Sequence, residues 1–301
     1  MAMNTYDTTS TIAALYVYPI KSCAGISLQE CVLTDTGLDL DRAWMVVDAA
    51  GQFVSQRELP RLALVQPTLK TYDMVLRAPG MLALHITIDA VEKPCTVQVW
   101  DDTCAAYDMG DTAAQWFTDF LAQDLPPGQS AKKLRLVRFD PAHRRESNKK
   151  WTGAHTAYSQ FADGYSMLVV SQASLDGLNQ RLSLAGHTAV GMARFRPNIV
   201  ITGIEAHDED RLEAFHTGAG EDALVLTPVK PCPRCPIPNI NPATALSSPE
   251  VGDALQAYRS DPRVNGALTF GMNVITTLGL SEDKDAVLRV GQVLHGNYRF
   301  D

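Results

Sequence analysis

The segment that most restricts this chain runs Pro228-Val-Lys-Pro-Cys-Pro-Arg-Cys-Pro-Ile-Pro-Asn-Ile-Asn-Pro242. Five prolines between Pro228 and Pro238 each fix φ and remove a backbone donor, which argues against both a regular helix and a central strand. The expectation is a stiff loop following a strand over residues 223–227, with side chains that lose little freedom on binding. Cys232 and Cys235 sit in it at C-x-x-C spacing, with Arg234 between them and Lys230 ahead. Neighbouring cations favour thiolate over thiol. The segment therefore presents sulfur beside positive charge on a rigid support.

Around it the pattern is β-rich. Leu82, Leu84, Ile86 and Ile88 alternate with Ala83, His85, Thr87 and Asp89, which predicts a strand with one buried face. Further β-rich runs fall at residues 14–18, 44–47, 96–100, 134–139, 167–170, 198–202 and 287–294, separated by turns such as Ala78-Pro79-Gly80. Three helices are predicted. After Asp111, the positions Ala113, Trp116, Phe117, Phe120 and Leu121 form one apolar face. A second helix opens at Ser171 and carries Leu175, Leu178 and Leu182. A third has Ser248 as N-cap, Pro249 at its first position and the stripe Val251, Ala254, Leu255 and Tyr258. Many strands and few helices predict an α+β, β-rich fold, not a doubly wound sheet. The polar, proline-containing stretch 123–130 places a boundary near residue 126, giving domains 1–126 and 127–301.

Composition narrows the function classes. The chain has 301 residues, 46% of them hydrophobic, ample for a buried core. No apolar run approaches the roughly 18 residues of a membrane helix, and the N-terminal residues lack a signal pattern, so a cytoplasmic protein with no membrane partner is expected. A net charge of −8 argues against nucleic acid as a partner. Six cysteines are too few for a disulfide scaffold, and Cys23, Cys31, Cys95 and Cys104 read as reduced core thiols.

Four readings of Cys232 and Cys235 stand open on the residues alone. A zinc half-site lacks a second C-x-x-C and any H-x-x-x-H. A thioredoxin-like pair needs a helix that the prolines remove. Structural cysteines would not need so cationic a setting. A single thiolate ligand to a metal that accepts soft donors fits the loop best. Other features read as bland. Gly218-Ala-Gly-Glu-Asp-Ala223 precedes a strand, so it is a turn and not a dinucleotide loop. His207-Asp-Glu-Asp210 reads as a solvated acidic loop or helix start. His143-Arg-Arg145 with Lys149-Lys150 reads as a solvent-facing basic run, with the rim of an anionic-cofactor pocket as the alternative.

Lys-Pro-Cys-Pro-Arg-Cys235 with Asn-Pro242 resembles the metal-binding loop of MOSC-domain molybdenum proteins, among them the mitochondrial amidoxime-reducing component and its bacterial relatives. The resemblance spans nearly the whole chain. It takes in Tyr18-Pro-Ile-Lys-Ser-Cys-Ala-Gly25, Asp41-Arg42-Ala-Trp44, Ser55-Gln-Arg-Glu-Leu-Pro-Arg61, Gly110-Asp-Thr-Ala-Ala-Gln-Trp116, Phe195-Arg-Pro-Asn198 and Phe270-Gly271.

The resemblance implies an N-terminal β-barrel-like domain and a C-terminal MOSC β-barrel domain, with a molybdenum–molybdopterin cofactor between them. It implies Cys235 as molybdenum ligand, and Lys21, Ser22, Arg42, Arg196, Asn198 and Arg234 as contacts to the pterin and its phosphate. It implies Asp163 as an active-site carboxylate. Those four cations are what a phosphate and polar heterocycle require. The activity implied is reduction of small N-hydroxylated substrates, hydroxylamines and amidoximes, with no requirement for pyridoxal phosphate. No C-x4-C-x2-C ferredoxin pattern follows the MOSC segment, so a separate flavin or iron–sulfur reductase is expected to donate electrons. A persulfide-carrying sulfurtransferase and a cofactor carrier are the alternatives. Asn273 and Tyr165 depart from the family pattern on the substrate side.

Overall fold

A computed structural model describes residues 6–91, 93–123, 132–218, 223–281 and 285–299. The predicted boundary near residue 126 and residues 219–222 of the glycine turn lie outside them. The main body is a closed barrel of seven strands. Its order is Met167–Ser171, Ile199–Thr202, Thr8–Val17, Val293–Gly296, Phe215–His216, Val225–Pro233 and Ala267–Leu278, and the last returns to pair with the first. Closure removes the unpaired edges that an open sheet leaves. The parallel pair of the barrel, Met167–Ser171 with Ile199–Thr202, is joined through the helix Gln172–Leu184, as a parallel connection requires. Ser171 caps that helix by accepting from Ser174 N, as expected from the sequence.

Period-2 alternation decides what fills the barrel. Met167, Val169, Ile199 and Ile201 point into the interior with Ile12, Leu15 and Phe215. The intervening Leu168, Val170 and Val200 face outward, under Leu175, Leu178, Val251 and Leu255 of the two covering helices. Both faces are buried, so these strands read as continuous apolar runs.

The second body packs a four-stranded sheet against the helix Asp111–Ala122. Its strand order is Trp44–Asp48, Leu134–Phe139, Asp102–Asp108, Pro94–Val99. Trp44 and Val46 meet Phe117 and Phe120 on one face, and Met45 and Val47 meet Val97, Val137 and Phe161 on the other. The early and late chain share sheets: Thr8–Val17 completes the barrel of the later strands, and Leu134–Phe139 pairs with Trp44–Asp48.

Several expectations change in three dimensions. The first half of the proline segment is strand, which runs on to Pro233 and pairs with Ala267–Leu278, while Arg234 and Cys235 lie in the loop beyond it, as expected. Irregularities of register at Pro228/Lys230 and Pro231/Pro233 absorb the missing donors. Beyond Leu226 this strand also has no described partner on its other side, and an edge tolerates proline. Residues 287–294 form two strands, Ala286–Arg289 and Val293–Gly296, not one. The third helix spans Glu250–Gln256 with Pro249 at the cap, and Ser248 Oγ bonds the Glu250 carboxylate instead of capping the backbone. Of the alternating run, Leu84–Thr87 is strand while Leu82 stands 88% exposed. No helix among the described residues is long and apolar enough to cross a membrane.

Candidate active site

At the end of the barrel strand Thr8–Val17, Pro19 stops the ladder and Tyr18-Pro-Ile-Lys-Ser-Cys folds into a turn. Lys21 N donates to Trp44 O at 2.8 Å and Cys23 N to Ile20 O at 3.0 Å. The buried Asp41 carboxylate accepts from Tyr18 N at 2.8 Å and from Arg42 Nη1 at 2.7 Å. Arg42 and Arg196 both stack on the Tyr18 ring, at 4.3 and 4.2 Å from its centroid. Burial keeps the Tyr18 phenol neutral, pushing its pKa up to about 12 against the pull of the two arginines. One aromatic ring thus brings two guanidinium groups together at the junction of the two bodies.

This junction holds a cavity. All eight residues singled out in the sequence line it: Lys21, Ser22, Arg42, Asp163, Arg196, Asn198, Arg234 and Cys235. Ser22, Arg42 and Arg196 are non-glycine residues with left-handed backbones, at φ 69°, 51° and 56°. Such conformations cost about 1–3 kcal/mol each and persist where the surroundings impose them. All three line this one cavity.

The polar side chains divide by what already occupies them. Arg42 is committed to Asp41, to Asn198 Oδ1 at 3.1 Å and to Arg196 O at 3.1 Å. Asn198 is used at both ends, accepting also from Leu168 N at 3.1 Å and donating to Tyr16 O at 3.2 Å. It braces Arg42 against the barrel. Arg196 donates Nη1 to Cys23 O at 2.6 Å, while its Nη2 is buried with no partner among the described residues. Arg234 donates to Phe195 O at 2.8 Å and to Cys232 Sγ at 3.1 Å, and its buried Nε is likewise unpartnered. Desolvation, then Arg42, lowers the Arg196 pKa to about 10. A buried guanidinium with a vacant donor calls for an anion.

Cys232 and Cys235 are free thiols, both partly exposed. Among the described residues no group of three or more His, Cys, Asp or Glu side chains could hold a metal ion. A metal at Cys235 would therefore take most of its ligands from a bound cofactor.

Asp163 stands at the mouth, its side chain 71% exposed, facing the Nζ of Lys21 (8% exposed) at 2.5 Å. Trp100 Nε1 donates to the same carboxylate oxygen at 3.2 Å. Desolvation works to raise the Asp163 pKa, but the Lys21 charge and hydrogen bond, then Trp100 and Arg42, hold the carboxyl well below the usual range. Burial lowers the Lys21 pKa, an effect Asp163 partly offsets. Lys21 also donates to Phe161 O at 2.8 Å, which anchors the loop carrying Asp163.

That loop has a second anchor. Arg145 is buried, against the solvent-facing reading of its basic run, and donates to Gln160 O at 2.8 Å, Ala162 O at 2.5 Å and Asp102 at 2.7 Å. The signal missed is that a guanidinium can satisfy several carbonyls of one loop. The acidic run is a helix start, the 3-10 turn Asp208–Asp210, but it is not solvated: Asp208, Glu209 and Asp210 are buried, with Glu209 accepting from Ser171 N at 3.1 Å and Ser174 Oγ at 2.7 Å. Phe53, Arg57 and Trp100 line the cavity or its vestibule without having been singled out. Trp100 has a left-handed backbone at φ 55°, which composition cannot foretell.

A two-body β-barrel protein with a cationic, cysteine-bearing cavity is the class defined so far, and known proteins give it a family. Residues 9–124 match the MOSC N-terminal beta barrel domain and residues 157–295 match the MOSC domain. The chain is 33% identical over 297 residues to mitochondrial amidoxime reducing component 2 of Rattus norvegicus, covering 95% of this chain and 82% of that protein. It is 30% identical over 295 residues to the Homo sapiens protein of the same name, covering 95% and 83%. Molybdenum cofactor sulfurase of Bos taurus is 28% identical over 265 residues, covering 82% of this chain but 29% of that protein. The chain belongs to the MOSC-domain family of the mitochondrial amidoxime reducing components.

Proposed function

We propose that this chain is a molybdenum cofactor-dependent reductase of N-hydroxylated small molecules, hydroxylamines and amidoximes, supplied with electrons by a separate reductase. The observation that carries the reading is one cavity combining a partly exposed thiol at Cys235 with two guanidinium groups whose buried nitrogens lack partners. A pterin phosphate fits that donor set: Arg196 and Arg234 offer vacant donors, Lys21 adds a buried point charge, and Cys235 suits a metal that accepts soft ligands. The names of the relatives support the same substrate class. When bound, such a cofactor supplies two-electron reduction of an N–O bond.

The chain's own residues divide the remaining work. Arg196 and Arg234 hold the anion, with Arg42 and Asn198 as the frame that aims them. Asp163, held ionised by Lys21, is a hydrogen-bond acceptor and not a ready proton donor. It suits gripping the N–H groups of an amidoxime or hydroxylamine at the mouth. Lys21 keeps that carboxylate charged and in place.

Elemental analysis of protein from a host that makes the cofactor tests the reading, alongside the Cys235→Ser variant. About one molybdenum per wild-type chain, lost or labile in the variant, is the expected result. Absence of molybdenum and pterin from the wild-type protein overturns it. Labile sulfane sulfur at Cys235 would then favour the sulfur-transfer chemistry named in the bovine relative.

A further inference from the structure

Outward of the cavity lies a wider vestibule that shares its Cys235, Asp163 and Arg234 walls and adds residues of both bodies. Two cations on it have no carboxylate within ion-pair distance among the described residues. Lys230 is half-buried, with its ammonium 5.4 Å from the Trp151 ring centroid and 5.7 Å from that of Tyr165. The guanidinium of Arg57 lies 4.5 Å from the Trp100 ring centroid and bonds Ser55 Oγ at 3.2 Å. Three of the nearby acids already sit in ion pairs: Asp102 with Arg145 at 2.7 Å, Glu146 with Lys149 at 2.7 Å and Asp163 with Lys21 at 2.5 Å. Asp101 is the remaining carboxylate of the vestibule, and it is exposed.

A lysine held against aromatic faces is partly desolvated and ordered, so it loses little freedom on meeting an anion. Its setting is set apart from the chain as a whole, whose net charge is −8. The backbone of the strand places it: Asn273 Nδ2 donates to Lys230 O at 3.2 Å, within the irregular register that turns this stretch toward the vestibule.

We propose that Lys230 and Arg57 form an anion-selecting rim, so that this enzyme prefers N-hydroxylated substrates bearing a carboxylate remote from the N–O group. The inference rests on the proposed reductase reading and narrows its substrate class. One lysine and one arginine from separate parts of the chain suit a singly charged carboxylate; a phosphate draws a denser set of donors. Lys230 and Arg57 act as specificity-determining residues, away from the reacting bond.

The test compares benzamidoxime with its 4-carboxylate as substrates of the holoenzyme under a chemical reductant. In parallel, benzoate and benzamide are titrated against the protein's tryptophan fluorescence, a binding readout that needs no turnover. The expected result is a kcat/KM about three- to tenfold higher for the carboxylate, with benzoate bound tighter than benzamide and both preferences shrinking at high salt. Lys230→Met and Arg57→Gln bring the preference toward unity, while Lys230→Arg retains it. Equal binding of benzoate and benzamide, or a preference that survives loss of both cations, overturns the inference even where both amidoximes are reduced. A Lys230-dependent benzoate preference with neither amidoxime reduced upholds the rim and counts against the reductase reading.

Discussion

At the scale of single residues, the cavity works by leaving a few charges unfinished. Arg42 is bonded to Asp41, Asn198 and Arg196 O and Asn198 is bonded at both ends, whereas Arg196 and Arg234 keep buried donors without a partner among the described residues. Asp163 is the exposed member of its pair with Lys21, so its negative charge faces whatever occupies the mouth. Asp163→Ala is expected to lower kcat/KM for an amidoxime about ten- to hundredfold, the worth of one charge-assisted hydrogen bond, with molybdenum content retained. Full turnover in that variant at saturating and limiting substrate alike would remove the role. A second residue sets a pH limit. Burial first, then Arg259 and Arg181, push the His207 pKa down to about 4, with Asp208 pulling the other way. The imidazole is thus neutral in the fold, while in the unfolded chain it takes a proton near pH 6.5. Stability from this residue is complete above about pH 6.5 and is lost as pH falls from there toward 4, an effect of about 3 kcal/mol. Urea midpoints measured across that range should decline, and His207→Gln should flatten the decline; an equally steep slope in the variant would assign it to other groups.

Elements matter where the backbone must do something unusual. The strand Ala267–Leu278 spans two neighbours, and at Gly271 (φ 78°) it passes so close to Met167–Ser171 that a Cβ would stand 2.6 Å from Val169 O. That atom is backbone and cannot yield. Gly271→Ala is expected to cost about 2–3 kcal/mol from strain and overpacking together. Gly291 has a similar φ of 85° but open space around it, so Gly291→Ala should cost about 1 kcal/mol from backbone strain alone. Denaturant unfolding of the two variants separates these contributions, and equal losses would show that the close approach is relieved. The proline-rich strand illustrates the converse. Its prolines are compatible with a strand because irregular register and a free edge leave their missing donors unneeded.

For the whole molecule, strand exchange between the early and the late chain governs what can fold alone. Thr8–Val17 lies between Ile199–Thr202 and Val293–Gly296, so a fragment of residues 127–301 lacks an internal stave of its barrel. Such a fragment is expected to show no cooperative thermal transition by circular dichroism, and adding residues 1–126 in trans should restore one. A cooperative melt of the isolated fragment would mean the barrel closes without that strand. The same exchange makes the site: Lys21 and Arg42 from the early chain and Arg196, Arg234 and Cys235 from the late chain face one cavity.

The sequence by itself determined the β-rich class, the helix over Asp111–Ala122 and the Ser171-capped helix, because period-2 and period-3.6 patterns and local caps are properties of neighbouring residues. It also made the eight cavity residues legible, through motifs whose order along the chain is itself information. Tertiary structure alone decided that the proline segment is strand as far as Pro233, since its partner Ala267–Leu278 lies far away in sequence. It alone decided that Arg145 and the run Asp208–Asp210 are buried, because a charge enters the interior only when distant carbonyls, hydroxyls and counter-charges gather around it. Vacancy on Arg196 and Arg234, and the stacking of Lys230 and Arg57, belong to the same category. No residue carries in its own name the list of partners it will lack.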